Sequence, residues 1–422
     1  MTTLLPAGAL VNRDSVAAGG DRIAKVLVHR IAYLCQGVHT CLVRVTPGER
    51  CVVTVRTDLR SDHDVRAPMT WLVVGGAGYI GSHVVRHLRA EGLPVVVLDN
   101  LSTGMATRIP PDVPLVVGAD TDRRTVARTL RTHHVDGVVH LAAVKSVPES
   151  VEDPLRYYGH NVDGLRVLLE AMVDAGVSRI LFSSSAAVYG MPRQPKVTED
   201  TPAAPINPYG ETKLVCEWML RAAGAAHDIS WIALRYFNVV GSEDAQLAER
   251  NGSGLFPKLF QNISTGRPVV ITGADYPTRD GTGVRDYVHV TDIADAHAAA
   301  VRRLQRGPIA EVYNVGTGKG HSVLEVIAAV RDETGLAVPV TAGPRRAGDP
   351  PEVVAAVDKI RRDLAWRARH GMSEMVRSAW RSWAAGPKPD ASVAVAAGTP
   401  PRPRRAVTRN PQRLGESSPS AR

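Results

Sequence analysis

Short apolar runs alternate with amphipathic stretches along the chain from residue 69 onward. Six of the runs are apolar enough to be strands buried on both faces of a sheet: WLVVGG, PVVVLDN, PLVVGAD, GVVHLAA, RILFSSS and WIALRYF. Helical periodicity lies between them, as in HVVRHLRAEG, where Val84, Val85 and Leu88 share a face and Gly92 can end the helix. NVDGLRVLLEAMVDAG repeats this plan. The alternation predicts an α/β fold with a Rossmann-like doubly wound parallel sheet, which binds ligands beyond the carboxyl ends of its strands.

Composition and charge narrow the classes of function. The 422 residues are 44% hydrophobic, which can fill a sizeable core, and no apolar run reaches the 18 residues that a membrane helix needs. The net charge is +9, but residues 1–68 carry +3 and residues 385–422 carry +5, which leaves +1 for the body. We therefore expect no binding of nucleic acid by the body. We expect a cytoplasmic protein because the start, MTTLLPAGALVNRD, lacks the basic-then-apolar order of a secretory signal and no membrane helix is indicated. Metal sites and disulfides are not indicated, because no CxxC pair or ligand spacing occurs around Cys35, Cys41, Cys51 and Cys216.

The two ends of the chain differ from its body. Residues 385–422 are rich in Pro, Ala, Arg and Ser with few large apolar residues, so we expect a disordered basic tail. Residues 1–68 carry no motif, and their role is open. Met69 stands two residues before the first strand, so we hypothesise that translation natively starts there. N-terminal mass spectrometry of the native protein tests this, and a mature chain that begins at Met1 would contradict it.

A glycine-rich turn follows the first predicted strand. GGAGYIG places Gly75, Gly78 and Gly81 between that strand and a helix, so backbone amides can approach a pyrophosphate closely. Asp99 ends the second strand, 18 residues after Gly81, where a carboxylate can accept both ribose hydroxyls and repel a 2′-phosphate. This arrangement predicts a dinucleotide site that favours NAD over NADP. The alternative for Asp99 is a turn residue in DNLSTG.

The stretch NPYGETK supplies a candidate acid and base. Pro208 suits the first turn of a helix, so Tyr209 and Lys213 fall on one face, one turn apart. A phenol has a pKa near 10, and a nearby ammonium and a positive nicotinamide are expected to lower it. Taken alone, the spacing favours an ordinary surface contact between residues i and i+4.

Serines at the end of the fifth predicted strand make the catalytic interpretation stronger. SSSAAVYG brings hydroxyls to the carboxyl end of the sheet, where a nicotinamide would lie. Ser185 is the candidate to hydrogen-bond a reacting hydroxyl, whereas Ser183 and Ser184 are expected to be structural.

These motifs together resemble the extended branch of the short-chain dehydrogenase/reductase superfamily. Further stretches between Met69 and Trp383 resemble the UDP-galactose 4-epimerases (UDP-glucose 4-epimerases): LDNLSTG, HLAAVKSVPESVEDPLRYYGHNV, LRYFNVVG, DYPTRDGTGVRDYVHVTDIADAH, YNVGTGKGHSVLEV and RRAGDPPEVVA. The resemblance implies NAD as cofactor, a UDP-sugar substrate, no metal and a homodimer. The expected reaction is inversion at the fourth sugar carbon through a 4-keto intermediate, with Ser185, Tyr209 and Lys213 catalytic.

The resemblance also implies further site residues, position by position. The cofactor would be held by the glycine turn with Asp99, by the catalytic pair Tyr209 and Lys213, and by Tyr79, Ile80, Asn100, Asp120, Thr121, Ala142, Lys145, Asn161 and Phe237. The substrate would be held by Lys145, Ser185, Asn238, Leu255, Ile271, Arg285, Arg346 and Asp349. Arg285 and Arg346 suit a diphosphate and Asp349 suits sugar hydroxyls, although a structural salt bridge is the alternative for each arginine.

Two positions depart from the family pattern. Gly254 stands where relatives often have an asparagine before the helix that contacts the diphosphate, so a side-chain hydrogen bond is replaced or lost. Val353 stands where some relatives have a bulky aromatic residue beside the second sugar carbon. The smaller side chain predicts that N-acetylated UDP-sugars are tolerated.

We therefore predict four segments: 1–68, an extension; 69–241, the NAD-binding Rossmann-like domain; 242–384, a smaller mixed α/β substrate-binding domain with segments that return to the first; and 385–422, the tail. Rival enzymes are a sugar-nucleotide 4,6-dehydratase, a UDP-glucuronate decarboxylase and a 4-epimerase for another sugar. A dehydratase needs another acid/base pair after Ser185, where the chain has Ala186 and Ala187. A non-enzyme alternative is an NAD-binding redox sensor, which would have no reason to keep the catalytic residues together.

Overall fold

A computed structural model describes residues 68–250, 254–346 and 349–386. The strands in this part of the chain are β1 Thr70–Val74, β2 Val95–Asp99, β3 Leu115–Val117, β4 Val135–His140, β5 Arg179–Ser185, β6 Lys196–Val197, β7 Ser230–Tyr236, β8 Asn238–Val240, β9 Val269–Thr272, β10 Val284–His289, β11 Ala310–Val315, β12 Gly320–Ser322, β13 Val340–Gly343 and β14 Glu352–Ala355. The six predicted strands correspond to β1 to β5 and β7.

The helices are α1 Tyr79–Ala90, α2 Arg123–Thr132, α3 Val147–Glu152, α4 Pro154–Tyr157, α5 Asp163–Ala175, α6 Pro208–His227, α7 Leu255–Thr265, α8 Val290–Gln305, α9 Val323–Thr334, α10 Asp358–Leu364 and α11 Met372–Ala384. Short 3₁₀ turns span Ala106–Arg108, Ala186–Tyr189 and Ala245–Leu247, and a π-turn spans Tyr158–Val162. Gly176, with a φ of 71°, ends α5 in the left-handed conformation that glycine adopts without strain.

Seven parallel strands form the main sheet, in the order β11-β7-β5-β4-β1-β2-β3. Alternate residues of its strands enter two separate apolar cores. In β1, Trp71 and Val73 belong to one core and Leu72 and Val74 to the other. Helices cover both faces, because a strand that is apolar at every position must bury both sides. The predicted Rossmann-like doubly wound fold is confirmed.

Smaller sheets follow the main one along the chain. Strand β10 pairs antiparallel with β12 and parallel with β14 and β8, while β6 pairs with β14. Strands β9 and β13 form a two-stranded parallel sheet. A third apolar core joins α7, α9 and α11 to these strands. This mixed α/β part agrees with the predicted fold class, and β11 shows that a later segment returns to the main sheet. The boundary between residues 241 and 242 stays a prediction.

Several expectations concern other parts of the chain. The hypothesis of a start at Met69, the role of the N-terminal extension and the disorder of the tail concern residues 1–67 and 387–422, which lie outside the described residues. Within the described ranges, none of the helices has the length and apolar character to cross a membrane. The same ranges contain no His, Cys, Asp or Glu grouping that could hold a metal ion.

Candidate active site

The predicted residues meet along a cleft at the carboxyl ends of the main-sheet strands. Ser185 and Tyr209 line two adjoining cavities there, and Asn238 lines both of these and a third. A fourth cavity lies at the ends of β1 and β2. Ligands of doubly wound folds bind at this edge because the connecting loops leave a crevice beyond the strands.

The glycine turn between β1 and α1 fits a dinucleotide. A β-carbon on Gly75, whose φ is 82°, would lie 2.6 Å from the Ala142 amide nitrogen, and one on Gly81 would overlap the Gly75 carbonyl oxygen. Gly78 is the N-cap of α1 and has no side chain between the helix terminus and the cleft. The turn therefore packs tightly on β4 and presents amides where a pyrophosphate can bind. Tyr79 and Ile80, the first residues of α1, line the cavity that Tyr209 also lines, and the Tyr79 hydroxyl donates to the Gly241 carbonyl at 2.6 Å.

Asp99 combines the two interpretations that the sequence left open. Its buried carboxylate accepts hydrogen bonds from the amides of Ala77 at 2.9 Å and Leu101 at 2.8 Å. It therefore fastens the glycine turn and shapes the loop after β2. The residue also lines the cavity at the ends of β1 and β2, and a carboxylate oxygen has a second lone pair for a ribose hydroxyl.

The remaining candidates for the adenosine end lie around the same cavity. Asn100, Asp120 and Ala142 line it, whereas Thr121 lines a neighbouring depression beside His160. The Asp120 carboxylate lies 3.0 Å from Nε2 of the buried His140. This contact holds the carboxylate at the cavity edge, and sequence reasoning had not singled out His140.

Lys145, Asn161 and Phe237 occupy different environments. Phe237 lines both cavities around Tyr209. Lys145 lines one of them and donates to Glu249 at 2.6 Å. Asn161 is buried, and its amide is used internally: Oδ1 accepts from the Val144 amide at 2.9 Å, and Nδ2 donates to the Val144 carbonyl at 3.0 Å. The structure thus gives Asn161 the task of shaping the loop that carries Lys145.

The catalytic candidates come together as expected from their positions on β5 and α6. Helix α6 begins at Pro208, and the Asn207 side chain caps it by accepting from the Gly210 amide at 2.9 Å. This fixes Tyr209 in the first turn, where it faces Ser185 at the end of β5. Lys213 lies one turn further along α6 and is buried, with Nζ 6.0 Å from the centre of the Tyr209 ring and 4.9 Å from that of Phe182.

Burial affects the pKa values of both Tyr209 and Lys213. Burial raises the pKa of the Tyr209 hydroxyl, and a hydrogen bond with Ser185 is what opposes the rise. The Lys213 ammonium donates to the Ser183 carbonyl at 2.8 Å, and burial lowers its own pKa to about 8. Desolvation of the phenol dominates in the protein alone, where Lys213 is bonded to Ser183, and the lowering expected from Lys213 together with a bound nicotinamide stays a prediction.

Arg285, Arg346 and Asp349 lie together around two cavities of the cleft. Arg285 Nη2 donates to the Asp349 carboxylate at 2.7 Å, so the salt bridge that was the alternative interpretation is present. Both side chains still line two cavities. Asn238 begins β8 and is exposed to all three cavities, and Leu255 begins α7 at the mouth of two of them.

Strand β9 places Ile271 differently from the expectation. Ile271 is buried in the third core, whereas Val269, Val270 and Thr272 of the same strand line the cavity with Arg285. The two positions that depart from the family pattern also lie in the cleft. Gly254 is the N-cap of α7 without a side-chain hydrogen bond, and Val353 faces the cavity that Ser185 and Tyr209 line.

Two further cavity residues were missed from the sequence. Lys258, in the second turn of α7, lines the cavity with Arg285 and Arg346, and burial together with Arg346 lowers its pKa. Tyr276 lines the same cavity, and its buried hydroxyl has no hydrogen-bond partner within the described part of the chain. The spacing of Lys258 from Leu255 on a helix that starts at the cleft could have indicated the lysine. No sequence signal marks the tyrosine.

Comparisons with known proteins agree with this geometry. A model of the NAD dependent epimerase/dehydratase family matches residues 71–316. A UDP-glucose 4-epimerase of Lactobacillus helveticus is 45% identical over 325 residues, which cover 76% of this chain and 98% of that protein. One of Azospirillum brasilense is 46% identical over 320 residues, which cover 74% of this chain and 91% of that protein.

A solved structure is similar over the same region. The crystal structure of UDP-glucose-4-epimerase from Stenotrophomonas maltophila, with bound NAD and formylated UDP-arabinopyranose, matches with a TM-score of 0.72 at 42% identity. The match covers 75% of this chain and 98% of that chain. The resemblance stated from the sequence motifs is confirmed, and the chain belongs to the NAD dependent epimerase/dehydratase family.

Proposed function

We propose that the protein is a UDP-glucose 4-epimerase that interconverts UDP-galactose and UDP-glucose with NAD as a bound cofactor. The observation that carries the proposal is the placement of Ser185, Tyr209 and Lys213 around one cleft, beside a glycine turn that fits a dinucleotide. Such a cleft needs an acid/base, an oxygen-binding hydroxyl and a cofactor position in contact, and the chain supplies each of them.

Tyr209 acts as the base and then as the acid of the reaction. The Tyr209 oxygen takes the proton of the sugar 4-hydroxyl, while the Ser185 hydroxyl hydrogen-bonds to the oxygen atom of that sugar hydroxyl. Tyr209 returns the proton after the sugar has rotated within the cleft. Bound NAD would supply the oxidant for the carbon–hydrogen bond at the fourth sugar carbon, the reductant that restores this bond, and a positive ring that favours the Tyr209 phenolate. Lys213, while protonated, adds positive charge beneath the Tyr209 ring.

Inversion requires the 4-keto sugar to show its other face within the cleft. The diphosphate is therefore the part of the substrate that must be bound tightly. Three cationic side chains around one cavity can bind it: Arg285, Arg346 and Lys258. The sugar end is lined by small and apolar side chains such as Ala186, Ala187 and Val353. Strong binding of the nucleotide and weak binding of the sugar allow rotation without release.

The alternatives are related enzymes and a non-enzyme. Ala186 and Ala187 follow Ser185 in the sugar cavity and cannot serve as the second acid/base pair of a dehydratase. A 4-epimerase for N-acetylated or uronic UDP-sugars and a UDP-glucuronate decarboxylase remain the close rivals, and the width beside Val353 favours the N-acetylated substrates among them. An NAD-binding redox sensor would need none of the three catalytic candidates.

A substrate panel tests the proposal. The purified protein is incubated with UDP-galactose, UDP-GalNAc and UDP-glucuronate without added NAD, and the products are separated by anion-exchange chromatography. UDP-glucose formed from UDP-galactose supports the epimerase. Conversion of UDP-glucuronate alone supports a uronate enzyme, and bound NAD without any conversion supports the sensor.

We also propose a homodimer in the cytoplasm, where UDP-sugars and NAD are metabolites. Apolar side chains on three helices that contact one another support the dimer: Val151 on α3 is 64% exposed, Leu155 on α4 is 81% exposed and Trp218 on α6 is 55% exposed. Light scattering tests it, with Leu155→Asp expected to give a monomer. A parent chain that is monomeric at micromolar concentration would contradict the dimer.

A further inference from the structure

Three neighbouring strands carry polar residues side by side where each strand approaches the cleft. Ser184 on β5, Arg235 on β7 and Asn314 on β11 are in register across the main sheet. All three are buried. A row of polar residues at this depth must be satisfied internally, because each unpaired group would be costly.

Glu217, on the same helix as Tyr209 and Lys213, binds two members of this row. It lies one turn after Lys213 on α6, and its carboxylate accepts from both sides of the Arg235 guanidinium, from Nε at 2.9 Å and Nη2 at 2.6 Å. The same carboxylate accepts the Ser184 hydroxyl at 2.6 Å. Glu217 therefore joins the helix that carries Tyr209 to the strand residue directly before Ser185.

Arg235 extends the network to the turn after Ser185. Its Nη1 donates to the Tyr189 hydroxyl at 2.9 Å, and that hydroxyl donates to Asn314 Oδ1 at 2.7 Å. Tyr189 ends the 3₁₀ turn that begins directly after Ser185. The backbone amide of Asn314 donates to Glu199 Oε1 at 2.8 Å. The backbone on both sides of Ser185 is thus tied to one buried ion pair.

We propose that Glu217 and Arg235 are positioning residues for the epimerase reaction, a role that rests on the proposed function. The pair sets the separation between the Ser185 hydroxyl and the first turn of α6, and the Glu217 carboxylate, one turn from Lys213, adds negative charge on the same helix. Neither residue touches the cleft, so both act through Ser185, Tyr209 and Lys213.

The surroundings of Lys213 show how the charge of Glu217 affects its pKa. Its ammonium faces the Ser183 carbonyl, the Phe182 ring and the Tyr209 ring. Burial lowers its pKa to about 8, and the groups that oppose this are the Cys216 thiol, Asp120 and Glu217. Loss of the Glu217 charge therefore lowers the pKa of Lys213 further, and the lysine becomes neutral at a lower pH.

The experiment compares Glu217→Gln and the double variant Glu217→Gln/Arg235→Met with the parent. The single variant leaves a buried guanidinium without its counter-ion and can fail to fold, whereas neutral replacement of a whole buried pair is often tolerated. Glu170→Gln is the matched control, since Glu170 is an exposed glutamate that pairs with Arg166 on α5. Turnover of UDP-galactose is measured from pH 6 to 10, and the Lys213 pKa is measured by NMR of ¹³Cε-labelled lysine, assigned with Lys213→Met.

We expect the folded double variant to keep the parent KM for UDP-galactose within about twofold. Its turnover should fall by about tenfold at every pH, because Ser185 and Tyr209 are no longer held at a fixed separation. Its Lys213 titration should stay near that of the parent, since one negative and one positive charge are removed together, whereas folded Glu217→Gln, which loses the negative charge alone, should titrate at a lower pH. A double variant with the parent turnover, but a lower melting temperature, would reduce the pair to a structural role. A parent that binds NAD without converting any UDP-sugar would overturn the proposed function, while the lysine titration would still report the effect of Glu217.

Discussion

The guanidinium of Arg285 on β10 donates to the Asp349 carboxylate at 2.7 Å, and both residues line a cavity that Tyr209 also lines. Arg285 also donates to the Val284 carbonyl at 2.8 Å and to the Pro351 carbonyl at 3.4 Å, so its planar group is held by three acceptors. A guanidinium has five donors, and this arrangement leaves some of them for a diphosphate while fixing the plane in which they lie. The ion pair therefore prepares the arginine for its proposed ligand and does not compete with that role.

Arg285→Lys should weaken substrate binding far more than it slows the chemistry. Lysine keeps the charge but loses the planar fork, and hydrogen bonds to charged groups contribute about 1.5–3 kcal/mol, which corresponds to about a ten- to a hundredfold rise in KM. Steady-state kinetics with UDP-galactose measure the change. Arg279→Lys, at an exposed pair with Glu325, is the control, and an unchanged KM in Arg285→Lys would remove the arginine from the diphosphate site.

Lys258→Met should lower the affinity for UDP by about tenfold, the effect of one lost charge-assisted hydrogen bond. Lys258 and Arg346 lie close enough for the arginine to lower the pKa of the lysine. An anion bound between the two cations would offset their mutual repulsion. Calorimetric titration with UDP gives the dissociation constant. Lys319→Met, at an exposed lysine, should leave it unchanged.

Tyr209→Phe should reduce turnover by about 10²- to 10⁴-fold, because it removes the group that exchanges the proton with the sugar hydroxyl. The bound NAD per chain, measured after acid release, should stay the same. Tyr158→Phe is the control, since the Tyr158 hydroxyl donates to Glu211 at 3.0 Å and lies outside the cleft cavities. A Tyr209→Phe protein that works at the parent rate would end the proposed acid/base role.

Stability should fall between pH 6.5 and about pH 4 because of three buried histidines. Burial lowers the pKa of His83 to about 4, of His289 to about 3 and of His297 to about 4, all below the ordinary value of 6.5. The unfolded chain therefore binds protons first as the pH falls, and the stabilisation is complete only above about pH 6.5. At pH 5.5, each of these histidines should lower the free energy of unfolding by about 1.4 kcal/mol relative to its value well above pH 6.5.

Urea unfolding at a series of pH values measures this loss. His297→Gln should remove the contribution of one histidine from the pH dependence of the unfolding free energy, because the His297 ring is buried between the Tyr236 hydroxyl and the Ile293 carbonyl. His227→Gln, at an exposed position near the end of α6, should leave the slope unchanged. Equal slopes in all three proteins would show that the pKa of His297 is the same in the folded and unfolded states.

Val353→Tyr should depress turnover of UDP-GlcNAc more than turnover of UDP-glucose. Val353 pairs in register with Arg285 and lines the sugar cavity with Ser185 and Tyr209, so a larger side chain fills space on that side. The two rates are compared in one preparation by coupled assay. Equal losses for both sugars would mean that the added volume disturbs the fold or the shared machinery and not the second sugar carbon.

The main sheet and the catalytic helix could be predicted because their signals are local. Continuous apolar runs gave the strands, and the sequence Asn207–Pro208 before Tyr209 is a direct helix start. The position of Ile271 could not be predicted in the same way. VVIT is apolar at three successive positions, so the composition does not reveal which side chains face the cavity, and only pairing with β13 fixes the alternation.

Long-range contacts account for the other differences. The Arg285–Asp349 pair joins residues 64 positions apart, and Glu217 meets Ser184 and Arg235 only because β5 and β7 are in register. The pKa of Tyr209 depends on how deeply the packed helix buries the phenol, which spacing along α6 does not contain. Motifs identify the reacting groups, whereas their protonation is set by neighbours that are distant in the chain.

The double attachment of the Asp99 carboxylate bears on attempts to change coenzyme preference. Exchanging Asp99 for a small or cationic residue would admit a 2′-phosphate, but it would also release the Ala77 and Leu101 amides from their acceptor. A redesign toward NADP would need a compensating acceptor elsewhere in the loop, so a single-site swap at this position should yield a protein with a loosened nucleotide pocket and affinity for neither coenzyme.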